Sequence, residues 1–130
     1  MAMHVVEEAV AEKWRRAGMY FEAKDYIEAA RILEAVVAEV PEQLDARLLL
    51  ARSYYHSAQL GRAEQALRAV IERDPVEYYA HLMLGRTLQR QGRAEEAGTW
   101  LRIADAFQGQ GQGEDGPSGS HRLYSATAVR

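Results

Sequence analysis

The 130-residue sequence contains no cysteine. That excludes a disulfide framework, a thiolate metal site and a cysteine nucleophile, and it suits a reducing compartment. Proline is scarce, with three in the chain, so long stretches are free to be helical. No apolar run approaches the roughly 20 residues that a membrane span requires. The N-terminal "MAMHVVEEAV" carries acidic residues where a signal peptide would carry basic ones. The expectation is a soluble, cytoplasmic protein with no membrane partner. Charge of one sign is also lacking: 16 Lys and Arg against 19 Asp and Glu leave a net charge of −3. That balance argues against a nucleic-acid partner. The histidines, at positions 4, 56, 81 and 121, stand at no metal-ligand spacing from one another. No glycine-rich loop joins a strand to a helix, so no phosphate cradle is expected. Ser53, Ser57, Thr87 and Thr99 fall within helical patterns, with no evident base or oxyanion hole. The sequence predicts no enzyme, no metal and no cofactor.

What is present is a repeat. "GRAEQAL" at 61–67 and "GRAEEAG" at 92–98 suggest a period of 31, but that register sets Gly98 where Leu67 must be large and apolar. A period of 34 works throughout. It relates Pro41 to Pro75, Ala17 to Ala51 and Gly85, and Tyr20 to Tyr54 and Leu88. It also aligns Ala29, Ala63 and Ala97; then Leu33, Leu67 and Leu101; then Val36, Val70 and Ala104. Small matches small and large matches large, as two helices packed at about 8–10 Å require. Apolar residues within each unit follow a helical and not an alternating pattern, so the fold class is all-α. Helices are expected at about 4–23, 26–39, 42–57, 60–73, 76–91 and 94–107. The residue before proline avoids the helical region, so Asp74-Pro75 closes one helix, and proline suits the first turn of the next.

A 34-residue helix–turn–helix unit with these positions resembles the tetratricopeptide repeat (TPR). The resemblance covers residues 8–108, with Lys13, Arg47 and His81 in place of a frequent Trp and Gly109 in place of the third Pro. It implies an α-α superhelix of three repeats: 10–43, 44–77 and 78–108. Residues 1–9 extend the first helix, and 109–130 form a Gly-rich, flexible tail. It also implies a protein or peptide partner, bound in a concave groove lined by the first helix of each unit. Transferred position by position, the first unit supplies Ala11, Trp14, Arg15, Gly18, Phe21 and Glu22. The second supplies Asp45, Leu48, Leu49, Arg52, Tyr55 and His56, and the third Tyr79, Leu82, Met83, Arg86, Gln89 and Arg90. Trp14, Gly18, Leu49, Tyr79 and Met83 occupy the places of the family's carboxylate clamp, so a chaperone tail is not the expected ligand. Aromatic residues beside Arg52, Arg86 and Arg90 suit a partly apolar peptide with acidic groups. Solvated arginines, or pairing with Asp45 and Glu22, are the alternative.

A second candidate surface is the stripe Trp100, Ile103 and Phe107 on the last helix. Solenoids normally end in a polar capping helix. Three fates are open for the stripe: packing within its own domain, meeting a second copy as a homodimer, or taking Leu123-Tyr124 of the tail. The expected function is a non-enzymatic interaction adaptor. A self-associating scaffold and a chaperone for a secreted or assembled client are the alternatives.

Overall fold

A computed structural model describes residues 2–112, with side chains described for 8–109. Leu123 and Tyr124 lie outside the described residues. Six α-helices follow one another: α1 Ala2–Glu22, α2 Tyr26–Glu39, α3 Leu44–His56, α4 Leu60–Arg73, α5 Tyr78–Arg90 and α6 Ala94–Gln112. Among the described residues there is no strand. None of the described helices is long and apolar enough to cross a membrane.

The helix ends recur at the same interval as the side chains. Lys24, Ala58 and Gly92 take positive φ of 65°, 63° and 81°. At each, one N–H reaches back three residues and the next reaches back five. Lys24 N donates to Phe21 O at 2.9 Å and Asp25 N to Tyr20 O at 2.8 Å. Ala58 and Gln59 do the same toward Tyr55 and Tyr54, and Gly92 and Arg93 toward Gln89 and Leu88. These paired bonds are the Schellman closure, which satisfies the last carbonyls of a helix. Only the third turn uses glycine, the residue that adopts this backbone without a Cβ penalty. Asp25 then caps α2, its carboxylate accepting the Glu28 N–H at 3.2 Å.

The turns between repeats differ from the sequence expectation. Pro41 and Pro75 fall between the repeats as expected, but the turns run on past them, so α3 and α5 each begin two residues later than expected, at Leu44 and Tyr78. A bond from Gln43 N to Val40 O, 3.0 Å, and one from Glu77 N to Asp74 O, 3.1 Å, close these turns. The α6 end, expected near 107, lies at Gln112.

The chain divides into two compact units at Ala66/Leu67, within α4. In the first, α2 packs on α1 and on α3. Its main cluster joins Ala17, Ala30, Ile32, Leu33, Leu50, Tyr54 and Ala63, all buried, and Tyr20 packs against it. Tyr54 Oη donates to Glu34 Oε2 at 2.5 Å. Burial, followed by that bond, pushes the Tyr54 hydroxyl pKa up, which keeps it a donor.

In the second unit α5 packs on α6. Ala80, Leu84, Leu88, Ala97 and Ala104 are buried there. The tightest approach is at Gly85, where a Cβ would stand 2.5 Å from Leu101 Cδ2 and 2.6 Å from its Cγ. Alanine serves at the equivalent positions 17 and 51, and both are fully buried. Gly85 is therefore a requirement of this particular helix pair. Gly85→Ala gains helix propensity of about 1 kcal/mol but overpacks Leu101, and the overlap dominates. A net loss of about 1–2 kcal/mol is expected in urea unfolding. Ala58→Gly removes the left-handed penalty and is expected to raise stability by up to about 1 kcal/mol in the same measurement.

Candidate functional site

In the first unit the C-terminal ends of α1 and α3 meet the start of α2 through rings. Tyr26 stacks on His56, with centroids 4.7 Å apart and planes at 25°. Phe21 meets both edge-on, at 5.1 Å from Tyr26 and 5.9 Å from His56. Tyr55 stands perpendicular to His56 at 5.5 Å. The Arg52 guanidinium lies over the Phe21 ring, 4.6 Å from its centroid. Only 7% of Arg52 is exposed, so this cation is held in place by its surroundings and is not swept through solvent. The four rings and the guanidinium form one wall on the first-helix face.

Of the residues expected there, Arg52, Tyr55 and His56 come together, with Phe21 joining them. Leu49 packs against the core from the same helix. Trp14 and Arg15 lie one to two turns earlier on α1. Trp14 is 37% exposed. Arg15 is already engaged, its Nη2 donating to both Glu12 oxygens at 2.6 and 2.7 Å. That pairing holds the Glu12 carboxyl below the usual range. Tyr26 was not among the expected residues. It opens the second helix of its unit, and the 34-residue period sets it opposite Leu60 and Ala94, so its ring was the visible signal.

In the second unit the expected face divides. Tyr79 and Met83 belong to the core: Tyr79 is fully buried and Met83 nearly so. That placement contradicts their reading as accessible groove residues. Burial on α5 takes in Tyr79, Ala80, His81, Met83, Leu84, Gly85, Thr87 and Leu88, a band wider than one apolar stripe, so the side carrying Tyr79 and Met83 is inside as well. Arg86 and Arg90 are exposed and lie one helical turn apart on α5.

The stripe on α6 is half-buried at Trp100, Ile103 and Phe107. His81, 3% exposed, sits against two of its rings, 5.7 Å from Trp100 and 5.3 Å from Phe107. Its Nδ1 is 2.9 Å from the Glu77 carbonyl oxygen. Arg68 lies over the outer part of the Trp100 ring at 5.6 Å and pairs with Glu96 at 2.8 Å. The stripe therefore packs substantially within its own unit, around a histidine.

Hydroxyls within these helices bond to the backbone. Ser53 donates to Leu49 O at 2.9 Å, Ser57 to Ser53 O at 2.8 Å, and Thr87 to Met83 O at 2.7 Å. Among the described residues no group of three His, Asp or Glu side chains is placed to hold a metal.

The tetratricopeptide-repeat family model matches residues 20–83, which spans Tyr20 and Tyr54 and both inter-repeat turns. This chain carries tetratricopeptide repeats. No curated protein matches the sequence significantly. Among solved structures, MamA 41-end from Desulfovibrio magneticus RS-1 is 26% identical, with a TM-score of 0.71, over 80% of this chain and 57% of that one. A crystal structure of MamA is 18% identical with a TM-score of 0.72, over 78% of this chain and 59% of that one. A chain of the CopN-Scc3 complex is 19% identical with a TM-score of 0.72, over 77% of this chain and 59% of that one. The latter two likenesses show the all-α repeat fold alone. The chain spans only 57% of the length of the Desulfovibrio magneticus protein. As a tetratricopeptide-repeat chain it has the architecture of a protein-interaction scaffold.

The ring wall also contributes to stability. Tyr26→Leu keeps most of the apolar area but loses the stack on His56 and the edge contact with Phe21. A loss of about 1 kcal/mol is expected in thermal unfolding.

Proposed function

We propose that this tetratricopeptide-repeat chain is a non-enzymatic adaptor whose first unit binds a partner peptide bearing acidic groups on the face of α1 and α3. The observation that carries this reading is the Arg52 guanidinium, buried yet held over the Phe21 ring at 4.6 Å beside the Tyr26–His56 stack. A guanidinium fixed in a ring wall meets a carboxylate with little further ordering, and the rings supply apolar contact area. In the second unit, the exposed Arg86 and Arg90 offer cations on the corresponding helix.

The test is affinity for acidic peptides, by fluorescence anisotropy with full-length chain. The double variant Arg52→Ala plus Arg86→Ala is expected to lose about tenfold or more, with a steeper salt dependence in the parent protein. Unchanged binding by a folded double variant refutes the reading.

A second reading, self-association through the last helix, draws on the half-exposed rings of Trp100 and Phe107. Their packing on His81 favours an internal role. The solution mass of the full chain is accordingly expected to stay monomeric across a concentration series. A rise abolished by Trp100→Glu would establish self-association instead. Client binding, as in a chaperone, would instead show as protection of an unfolded partner and not as affinity for a short peptide.

A further inference from the structure

One side of α1 differs in kind from the same side of α3 and α5. On α3, Ala46 joins a cluster with Val36, and Leu50 joins one with Ala30 and Leu33, so this side of α3 lies against α2. Ala46 and Ser53 are fully buried and Leu50 nearly so. The 34-residue period sets Ala80, Leu84 and Thr87 at these places on α5, and all three are fully buried. On α1 the places hold Glu12, Arg16 and Met19, and all three are exposed. Glu12 accepts from Arg15 Nη2 at 2.6 and 2.7 Å, a pair that stays in water.

The second helices change in the same sense. Val37 of α2 packs against both clusters, and the period sets Ile71 at its place on α4. On α6 that place holds Asp105, which is exposed. Leu33 and Leu67 are fully buried, whereas their counterpart Leu101 is half-buried. A helix laid on α6 as α3 lies on α2 would cover the rest of Leu101. The α1 of a second copy has the matching place in its repeat, but it would bring Glu12 and Arg16 where Ala46 and Leu50 stand.

We infer that Glu12, Arg16 and Asp105 bar a second copy of this chain from stacking its α1 on α6. In that contact Arg16 would replace Leu50 beside the leucine, and Glu12 and Asp105 would replace Ala46 and Val37, which pack in one cluster. Charged groups would have to shed water at places where α2 and α3 meet through apolar side chains. That desolvation outweighs the gain from covering one leucine. The contact would be heterologous, with a different face from each copy, so once allowed it extends beyond two copies. The three side chains thereby keep the chain a single unit, with its other faces left for a different partner. This goes beyond the adaptor reading and stands without it.

The experiment is sedimentation velocity on the full-length chain, from micromolar to near-millimolar concentration. Three variants restore the residues of the covered helices: Glu12→Ala plus Arg16→Leu, Asp105→Val, and all three substitutions together. Wild type and each partial variant alone are expected to show the mass of one copy. An equimolar mixture of the two partial variants is expected to double in mass, because one supplies the converted α1 and the other the converted α6. The triple variant carries both faces and is expected to gain mass without a plateau as concentration rises. Circular dichroism checks that each variant keeps the helix content of wild type, and the mixture decides should the triple variant fail to fold. Wild-type mass that climbs without a plateau overturns the inference. So does a folded triple variant that stays at one copy, or a mixture that gains no mass.

Discussion

The fold depends on a small residue packed beside a large one, Ala17 with Leu33 in the first unit and Gly85 with Leu101 in the second. The small position carries Ala17, Ala51 and Gly85, and the large position Leu33, Leu67 and Leu101. Where the facing pair is Gly85 and Leu101, the space of a single Cβ is already taken. An α-helix pair packed this closely cannot trade one methyl group without strain, because protein interiors have no spare volume. The constraint recurs every 34 residues, and so do the turns that reverse the chain. It sets which helix faces are buried and, by exclusion, which remain for a partner.

The first-helix face of unit one follows from that exclusion. Once Ala17 and Tyr20 turn toward the core, helical geometry leaves Trp14, Gly18 and Phe21 on another face. The start of α2 adds Tyr26, and the end of α3 adds Arg52 and His56. The wall is therefore built by the Schellman turn at Lys24 as much as by any helix, since that turn delivers Tyr26 to the ring of His56. A cation embedded among rings is costly to desolvate unless it is used, either for packing or for a ligand. In the second unit Tyr79, on the first helix of its repeat, is committed to the core. The two units thus share a scaffold but not a surface.

The α6 stripe shows how the third repeat departs from the period of the first two. Trp100 stands where earlier units have Ile32 and Ala66, Phe107 stands where they have Glu39 and Arg73, and His81 replaces a position the family often fills with Trp. The three rings come together, 5.7 and 5.3 Å from His81. Bulk lost on α5 is restored from α6. Arg68, paired with Glu96, also lies over the Trp100 ring. A long cationic side chain over an apolar ring shields part of it from water.

The fold class, the 34-residue period, the six helices and the buried alanines and leucines are all legible in the chain before any coordinates. They are written in side-chain size and spacing, which act locally and repeat. The same pattern marks Arg52, Tyr55 and His56 as neighbours on one helix face. It does not reveal that α3 and α5 start two residues later than expected, that α6 runs to Gln112, or that Tyr79 and Met83 are buried. Nor does it pair Tyr26 with His56, or Trp100 with His81. Those outcomes depend on the angle at which one helix meets the next, and on which of two acceptable faces wins the core. They emerge only when the helices pack, because a helical pattern names a face and not the partner that the face will meet.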